Sequence, residues 1–521
     1  MSPRTARRFP QGVVASPHYL ASATGLGVLA QGGNAMDAVL AANLTLGVVA
    51  PYACGYGGDL FAVVWDGDLT GYLGSGRSPA GATRDALAAR SDGPWMPVLG
   101  PDSVTVPGAI AGWFDLLGRW GTRDFETLAA DAVGYARGGF AVSDDAAGAF
   151  HDGRRMYPKA NPWYGAWHDV YGDVRGGTWL RQPALARTIE TLAADGPDAY
   201  YRGPIGKAIV ATLAAEGGDH ADVDLASHAG EWVEPLRAAY RDVEVVELPP
   251  PTQGVTVLEA LRILDGLPLP PNGPGRQHLL IEALKLALSD RDRWVSDPAA
   301  MPRPAAHLLT EPYVAARRAL LRADAAGVPA PGDPQPGGTA YLCAADRDGL
   351  MVSLIQSNFL HFGAGVHVPE WGVNLNNRGC SFSLDADRVN VFAPGKRPLH
   401  TLIPAMALRD GSPELVFGSM GGDAQPGIHL QLLARLVDDE ADPATAVAAP
   451  RWRVDPGGWR VRAESRFGAV LVDALRGLGH DVVDAPAYDA DMGHAHVIRV
   501  ESAGGYSAAA DPRSEGLALG R

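Results

Sequence analysis

Between Gly327 and Gly338 the chain carries Pro329, Pro331, Pro334 and Pro336, with Gly332 among them, and the stretch closes on Gly337-Gly338. Proline lacks a backbone N–H and fixes its own φ, so neither a helix nor a central strand can run through such a segment. It is predicted as an exposed loop, after which the fold has to start afresh. The residues that follow, Thr339-Ala-Tyr-Leu-Cys-Ala-Ala345, are strand formers or small residues. Asp346-Arg-Asp-Gly349 is a turn signal, and Leu350 to Gln356 is a second strand, so a hairpin is expected. With a two-residue loop Thr339 faces Asn358; with one more loop residue it faces Ser357. Either register sets a hydroxyl and an amide beside Thr339.

A threonine at the head of a strand, behind two glycines and a loop, suits an N-terminal nucleophile. A free α-amino group has a pKa of about 8 and can take the proton of its own residue's hydroxyl. Exposing that amine requires the hydroxyl to cut the Gly338–Thr339 bond first, and glycine before the cut permits unusual backbone angles. In most chains a threonine in this setting simply begins a strand, and both readings stand on these residues alone. Downstream, Pro404 to Leu408 and Glu414 to Phe417 flank Asp410-Gly411 as another hairpin. It runs into Gly418-Ser-Met-Gly-Gly422, and a helix is predicted from Gln425 to Val437. Gly421 and Gly422 offer bare N–H groups near a helix N-terminus, which suits an oxyanion hole, although a tight strand-to-helix turn needs the same residues.

The rest of the chain reads as a mixed α and β protein. Strand signals occur at Gly12 to Ser16 and at Leu60 to Leu73, the latter folded at Asp66-Gly67. Helices are expected from Leu20 to Gln31, from a cap at Asn34, in segments between Ala109 and Ala215, over Gln277 to Arg293 and over Ala316 to Ala325. A net charge of −15 on 521 residues argues against nucleic-acid or anionic-membrane partners, which are held by Lys and Arg. Cys54, Cys343 and Cys380 lie too far apart for a CxxC pair or a disulfide framework. The most apolar stretch, Met36 to Ala53, is interrupted by Asp37, Asn43, Thr45 and Pro51, and no apolar leader precedes it, so a soluble, cytoplasmic protein is expected. No cofactor or metal is expected. Gly25-Leu-Gly27-Val-Leu-Ala30 fits a dinucleotide fingerprint in letters but lies inside a helical run, and His494 and His496 share a strand face without a third ligand.

Taken together, the motifs resemble those of the γ-glutamyltransferase family of N-terminal nucleophile hydrolases. Leu20-Ala-Ser22, Gln31-Gly-Gly-Asn-Ala35 with Asp37-Ala38, and Gly55-Tyr-Gly-Gly-Asp59 look like its large-subunit signatures. Thr339, Asp346-Arg-Asp-Gly349, Asn376-Asn377, Pro394-Gly-Lys-Arg-Pro398 and Gly421-Gly422 follow its small-subunit order. The resemblance implies a four-layer αββα sandwich made by a precursor that cuts itself between Gly338 and Thr339. Residues 1–338 then become the large subunit and 339–521 the small one, intertwined in one domain. It implies Thr339 as the nucleophile of an acyl-enzyme, Ser357 in place of a second threonine beside it, and Gly421 and Gly422 as the oxyanion hole. The partners implied are a small-molecule amide and water or an amine as acceptor; assembly of such heterodimers into oligomers is left open.

The departures from the family pattern bear on substrate. The acidic residue that grips a γ-glutamyl α-ammonium falls on Ser381, the glutamine after Asn-Asn is Arg378, and two serines after Lys-Arg-Pro are His400 and Thr401. The large-subunit arginine that meets the substrate carboxylate falls on Ser75, with Arg77 two residues on and therefore on the same side of an extended strand. The expected substrate-binding set is Arg77, Asn358, Asn377, Arg378, His400 and Thr401. Glutathione-type γ-glutamyl amides are the family's own substrates. An acyl group with a carboxylate but no ammonium, as in glutaryl or cephalosporin acylases and oxamate hydrolases, is the alternative. An uncut relative that only binds ligands is the third reading, of a different class.

Overall fold

The computed structural model describes residues 6–91, 93–329 and 338–521. Pro331 to Gly337, at the heart of the proline-rich prediction, lie outside the described residues. Two seven-stranded antiparallel sheets form the centre. In edge-to-edge order one sheet runs Leu517–Gly520, Val13–Ser16, Gly338–Ala345, Met351–Phe359, Asp59–Trp65, Leu69–Gly74 and Glu231–Val233. The other runs Arg7–Phe9, Tyr506–Ala510, Ala495–Val500, Ser412–Ser419, Ala405–Arg409, Val243–Glu247 and Leu236–Tyr240. Each sheet mixes strands from both sides of position 338, so a cut there leaves two chains held in common sheets.

Three apolar layers follow from strand periodicity, because successive side chains on a strand point to opposite faces. Phe61, Val63, Tyr341, Cys343 and Ile355 meet Val246, Met406, Val416 and Ile498 between the sheets. The alternate residues Leu60, Ala62, Leu342 and Leu354 face a helical layer that includes Ala35–Val49 and Ala109–Trp120. On the far side, Val245, Ala405 and Phe417 pack under Gly254–Asp265, Pro274–Trp294 and Gln425–Leu433. This is the αββα sandwich. Its central strands are buried on both faces, which explains why they read as near-continuous apolar runs.

The predicted helix ends hold at Asn34, whose side chain accepts from the Asp37 N–H while Asp37 returns a bond to the Asn34 N–H, a capping box. The helix predicted at Ala316 to Ala325 is corrected: it spans Glu311–Arg318, with Pro312 in its first turn. Beyond it the backbone is pulled into tertiary bonds instead. The Arg322 carbonyl accepts from His278, and Gly327 donates to Glu282 and accepts from Lys285. Local helical pattern loses here to buried polar partners 42 to 45 residues away.

Burial also stores a pH dependence. It holds His18, His220, His228 and His494 down at about 4, and His429, His480 and His496 at about 3. In the unfolded chain these rings charge near 6.5, so as pH falls below that value the unfolded state binds more protons and stability is lost. Burial raises Asp59 and Glu216 to about 7 and Glu247 and Glu259 well above the carboxylate range, which acts in the opposite direction. His361, His367 and His400 are also held down and Asp102 and Glu515 also pushed up, so ten histidines outweigh six carboxyls. The melting temperature is therefore expected to fall between pH 7 and pH 5; a constant or rising value across that interval contradicts this assignment of neutral rings.

Candidate active site

Thr339 sits at the end of its strand, 2% exposed, where the pairing with Met351–Phe359 shifts register between Gly338 and Ala340. Its hydroxyl donates to Ser357 Oγ at 3.3 Å, and Ser357 Oγ also accepts from the Phe359 N–H at 2.7 Å. The longer-loop register is the one adopted, with Ala345 opposite Met351 and Ala340 opposite Gln356. On the next strand Asp59 lies directly opposite Ser357. Asp59 and Ser357 share the parity of Phe61, Val63 and Ile355, which point between the sheets. Asp59, Ser357 and Thr339 thus form a row at one end of the intersheet layer.

Close approach is built into the strand entry. A Cβ on Gly58 would lie 2.4 Å from the Ser357 carbonyl oxygen and 2.6 Å from Asn358 Oδ1. Asn358 itself is fully buried, and neither atom of its amide finds a hydrogen-bond partner among the described residues. Phe359 follows at φ 79, a left-handed conformation that non-glycine residues seldom adopt outside constrained sites. Its ring lies 3.7 Å under the guanidinium of Arg378.

Arg378 is the most unusual side chain of the site. It is 1% exposed, and its one hydrogen-bond acceptor among the described residues is Thr401 Oγ1, at 3.1 Å from Nη1; Nε and Nη2 are buried and unpartnered. Burial lowers its pKa to about 10, with Asp59 opposing, so the guanidinium is charged at neutral pH. Asp59 is the leading charge that opposes this shift but does not hydrogen bond to Arg378. Instead Asp59 Oδ2 is 3.0 Å from His400 Nε2, and Oδ1 accepts from the Gly108 N–H at 3.3 Å. The Leu402 N–H donates to His400 Nδ1, so Nε2 carries the ring proton and donates it to Asp59. Burial, then Arg378, holds His400 well below its usual range, and burial pushes Asp59 up to about 7 against the pull of Arg378 and the Gly76 and Gly108 amides.

The glycine pair lies where the strand Ser412–Ser419 meets the helix Gln425–Leu433, with Gly421 at φ 151 and Gly422 at φ 55. Gln253 Nε2 donates to both the Gly422 and Thr401 carbonyls, and Gln253 Oε1 accepts from Arg291, which also binds Asp423. A continuous set of contacts therefore joins Gly422, Gln253, Thr401, Arg378, Phe359, Ser357 and Thr339.

Other expected residues have different duties. Asn377 donates to the Val98 carbonyl and accepts from the Leu360 N–H, fixing backbone. Arg77 lies on a wall shared with Ser75, His228 and Arg397 around a cavity of about 320 Å³. Its guanidinium is half-exposed and engaged by Asp297, the Gly395 carbonyl and Glu231. His494 and His496 are buried beside Asp511 and the arginines Arg451 and Arg513, and His496 stacks on Tyr341. His278, Glu282 and His480 place possible ligand atoms within 4.8 Å of one another, but Lys285 Nζ is already 2.6 Å from Glu282 and the two rings bond each other at 2.8 Å. That cluster is charge-balanced as a clip on residues 322–327.

Sequence reasoning missed the Asp59–His400 pair and the Gln253–Arg291 brace. The visible signal for Asp59 was an acid opening an otherwise apolar strand. Gly58→Ala is expected to lower folding stability by about 1–3 kcal/mol, the usual cost of overpacking, because the new methyl meets backbone rather than a flexible side chain. The urea midpoint reads it, and an unchanged midpoint removes close packing as the reason for glycine here.

A family model described as gamma-glutamyltranspeptidase matches residues 21–520. The chain is 35% identical to a glutathione hydrolase-like proenzyme of Bacillus subtilis, over 98% of each chain. It is also 35% identical to an oxamate amidohydrolase proenzyme of Klebsiella pneumoniae, again over 98% of each. Among solved structures, a cephalosporin acylase from Bacillus halodurans aligns with a TM-score of 0.96 at 34% identity, covering 100% of this chain and 98% of that one.

Proposed function

The chain belongs to the gamma-glutamyltranspeptidase family of amide hydrolases and acyltransferases, and we propose that it hydrolyses amides whose acyl group ends in a carboxylate. The observation that carries this reading is Arg378: a buried, charged guanidinium with two donor nitrogens that meet no acceptor among the described residues. Unpaired buried donors are costly, and a carboxylate is the acceptor whose geometry fits a guanidinium fork. Ser381, on the same turn, supplies no charge for an α-ammonium. Asp59 favours a second reading, since a buried carboxylate is the partner a γ-glutamyl ammonium needs. It already holds the His400 N–H and the amides of Gly108 and Gly76, however, which makes it a closed group rather than an open receptor.

The reaction begins with the chain itself. The Thr339 hydroxyl attacks the Gly338 carbonyl carbon, the peptide bond becomes an ester as its nitrogen departs, and water releases Gly338 as a carboxylate. Thr339 then has a free α-amine, which takes the Oγ1 proton as the hydroxyl attacks a substrate amide. Ser357 holds Oγ1 in line, the Gly421 and Gly422 N–H groups receive the oxyanion, the Thr339 α-ammonium passes its proton to the substrate nitrogen, which leaves as the free amine, and water resolves the acyl-enzyme ester on Oγ1 to the carboxylic acid.

Thr339→Ala gives a single folded chain on a denaturing gel, whereas the native protein gives two with Thr339 at one N-terminus; two chains from the alanine variant rule out this nucleophile. In a panel of glutaryl, oxamyl and γ-glutamyl amides, a glutaryl amide has kcat/KM at least equal to its γ-glutamyl counterpart, and Ser381→Asp shifts preference towards γ-glutamyl. Arg378→Met lowers kcat/KM for the glutaryl amide by roughly 10- to 150-fold, the worth of one charged hydrogen bond at about 1.5–3 kcal/mol. A native preference for γ-glutamyl above about tenfold, or about 1.4 kcal/mol, selects the second reading.

A further inference from the structure

We propose that His278, Glu282, Lys285 and Trp459 are positioning residues for self-cleavage: they fix the chain ahead of the Gly338–Thr339 bond, so that its carbonyl stays within reach of the Thr339 hydroxyl. This inference rests on the reading that the chain cuts itself there. It concerns the cut alone, not the turnover of amides by the cut enzyme.

Between Arg322 and Pro329, five backbone groups are held by other elements of the fold. Three of the bonds come from the helix Pro274–Trp294. His278 Nε2 donates to the Arg322 carbonyl at 2.6 Å, Lys285 Nζ donates to the Gly327 carbonyl at 2.8 Å, and Glu282 Oε2 accepts from the Gly327 N–H at 2.7 Å. Just after the helix Ala469–Gly477, the Leu478 carbonyl accepts from the Ala326 N–H at 2.7 Å. Trp459 Nε1 donates to the Pro329 carbonyl at 2.8 Å. Because His278 Nε2 donates to a carbonyl, its Nδ1 accepts, and His480 Nε2 donates to it at 2.8 Å. The clip therefore joins residues from both sides of position 338.

Its chemistry suits a device that sets position. Lys285 and Glu282 are 2% and 5% exposed, and a buried ion pair returns little net stability, because desolvation offsets the attraction. Apolar cover would hold the segment as firmly but would not fix where Gly327 sits. Trp459 is buried at φ 58, a left-handed conformation that a non-glycine residue keeps only where its surroundings over-determine it. Past Gly327 the packing thins: Val328 is 86% exposed, and residues 327–329 form part of the wall of a cavity of about 530 Å³.

On the other side of the bond, Thr339 is held by its strand and by Ser357. Gly338 pairs with Phe359, and the register shifts between Gly338 and Ala340, across the bond to be cut. Attack needs the carbonyl carbon about 3–3.5 Å from the hydroxyl oxygen. Such a contact persists in an irregular pairing when the chain is fixed at both ends. The strand fixes one end, and Pro329, nine residues ahead of Gly338, is the other. Without the clip the last held element is the helix Glu311–Arg318. The span to be closed then roughly doubles, which lowers the population of attacking geometries by about threefold.

The test compares two variants. Trp459→Phe removes one bond and keeps the ring packing; Lys285→Met combined with Glu282→Gln removes the ion pair without stranding a charge. A pulse of cell-free translation followed on denaturing gels gives the rate of cutting, and kcat/KM is measured on the cut protein with the amide that the native enzyme turns over best. The double variant is expected to cut at least about threefold more slowly and Trp459→Phe about twofold more slowly, with kcat/KM of both cut proteins at the native value. Native cutting rates in both variants overturn the proposal. So does an equal fall in cutting rate and in kcat/KM, which makes the clip general scaffold. Should the double variant not fold, Trp459→Phe decides alone. If the native chain is not cut before Thr339, the self-cleavage reading fails first, and this inference falls with it.

Discussion

The register of the strand Met351–Phe359 between its two neighbours is the constraint on which the site depends. It pairs Ser357 with Asp59 on one side and brings Thr339 beside Ser357 on the other. Because side chains alternate between faces, a slip of this strand by one residue would turn Ser357 into the helical layer, away from Asp59 and Thr339, and bring Gln356 or Asn358 into the intersheet space. The register is pinned from both faces: Tyr341, Cys343 and Ile355 fill the intersheet core, and Leu342 and Leu354 fill the helix side. The polar row is thus placed by apolar packing several residues away, at an end of the sheet where the pairing itself shifts.

Many motifs that carry the family resemblance work as scaffold for this placement. The Ala35 N–H donates to Asp346 Oδ2, joining the first helical cap to the turn of the Thr339 hairpin across 311 residues. Asn376 bonds the carbonyls of Gly57 and Thr105, tying the stretch before Arg378 to the entry of the Asp59 strand. Lys396 donates to the carbonyls of Val389 and Val391, and Arg397 pairs with Glu231 and Asp297. The bonds of Ala35, Asn376 and Arg397 span the position of the proposed cut, so the two chains of a mature enzyme share them.

What was legible in the sequence was what strand and turn chemistry write locally. The hairpin after the proline-rich segment, the glycine pair between strand and helix, and the cap at Asn34 each follow from a handful of adjacent residues. Two hairpin registers stayed open because the loop signal Asp346-Arg-Asp-Gly349 fits either, and the choice belongs to packing against the neighbouring strands. Arg77 looked like a substitute carboxylate receptor on spacing alone, but Asp297 and Glu231, more than 150 residues away, already engage it. The Asp59–His400 bond joins residues 341 apart, and no local pattern announces such a pair. Its trace in the sequence was an acid where an apolar residue was due.

The same distance explains why the proposed anion receptor is Arg378 rather than Arg77. A half-exposed arginine with two carboxylate partners offers a ligand only an exchange of one screened contact for another, and such exchanges contribute little. Arg378 is fixed on three sides, by the Phe359 ring, by Thr401 and by the burial of its stem, with Gln253 and Arg291 holding Thr401 from behind. Nε and Nη2 are buried without an acceptor among the described residues, a cost borne in the folded protein itself. On the proposed reading, an anion that completes the fork recovers that cost, which is how preorganised sites turn buried charge into discrimination. The strained backbone at Phe359 is part of that arrangement, since the residue that carries the ring is also the one whose N–H fixes Ser357 beside Thr339. The proposed anion receptor and the Ser357–Thr339 contact therefore meet at one residue.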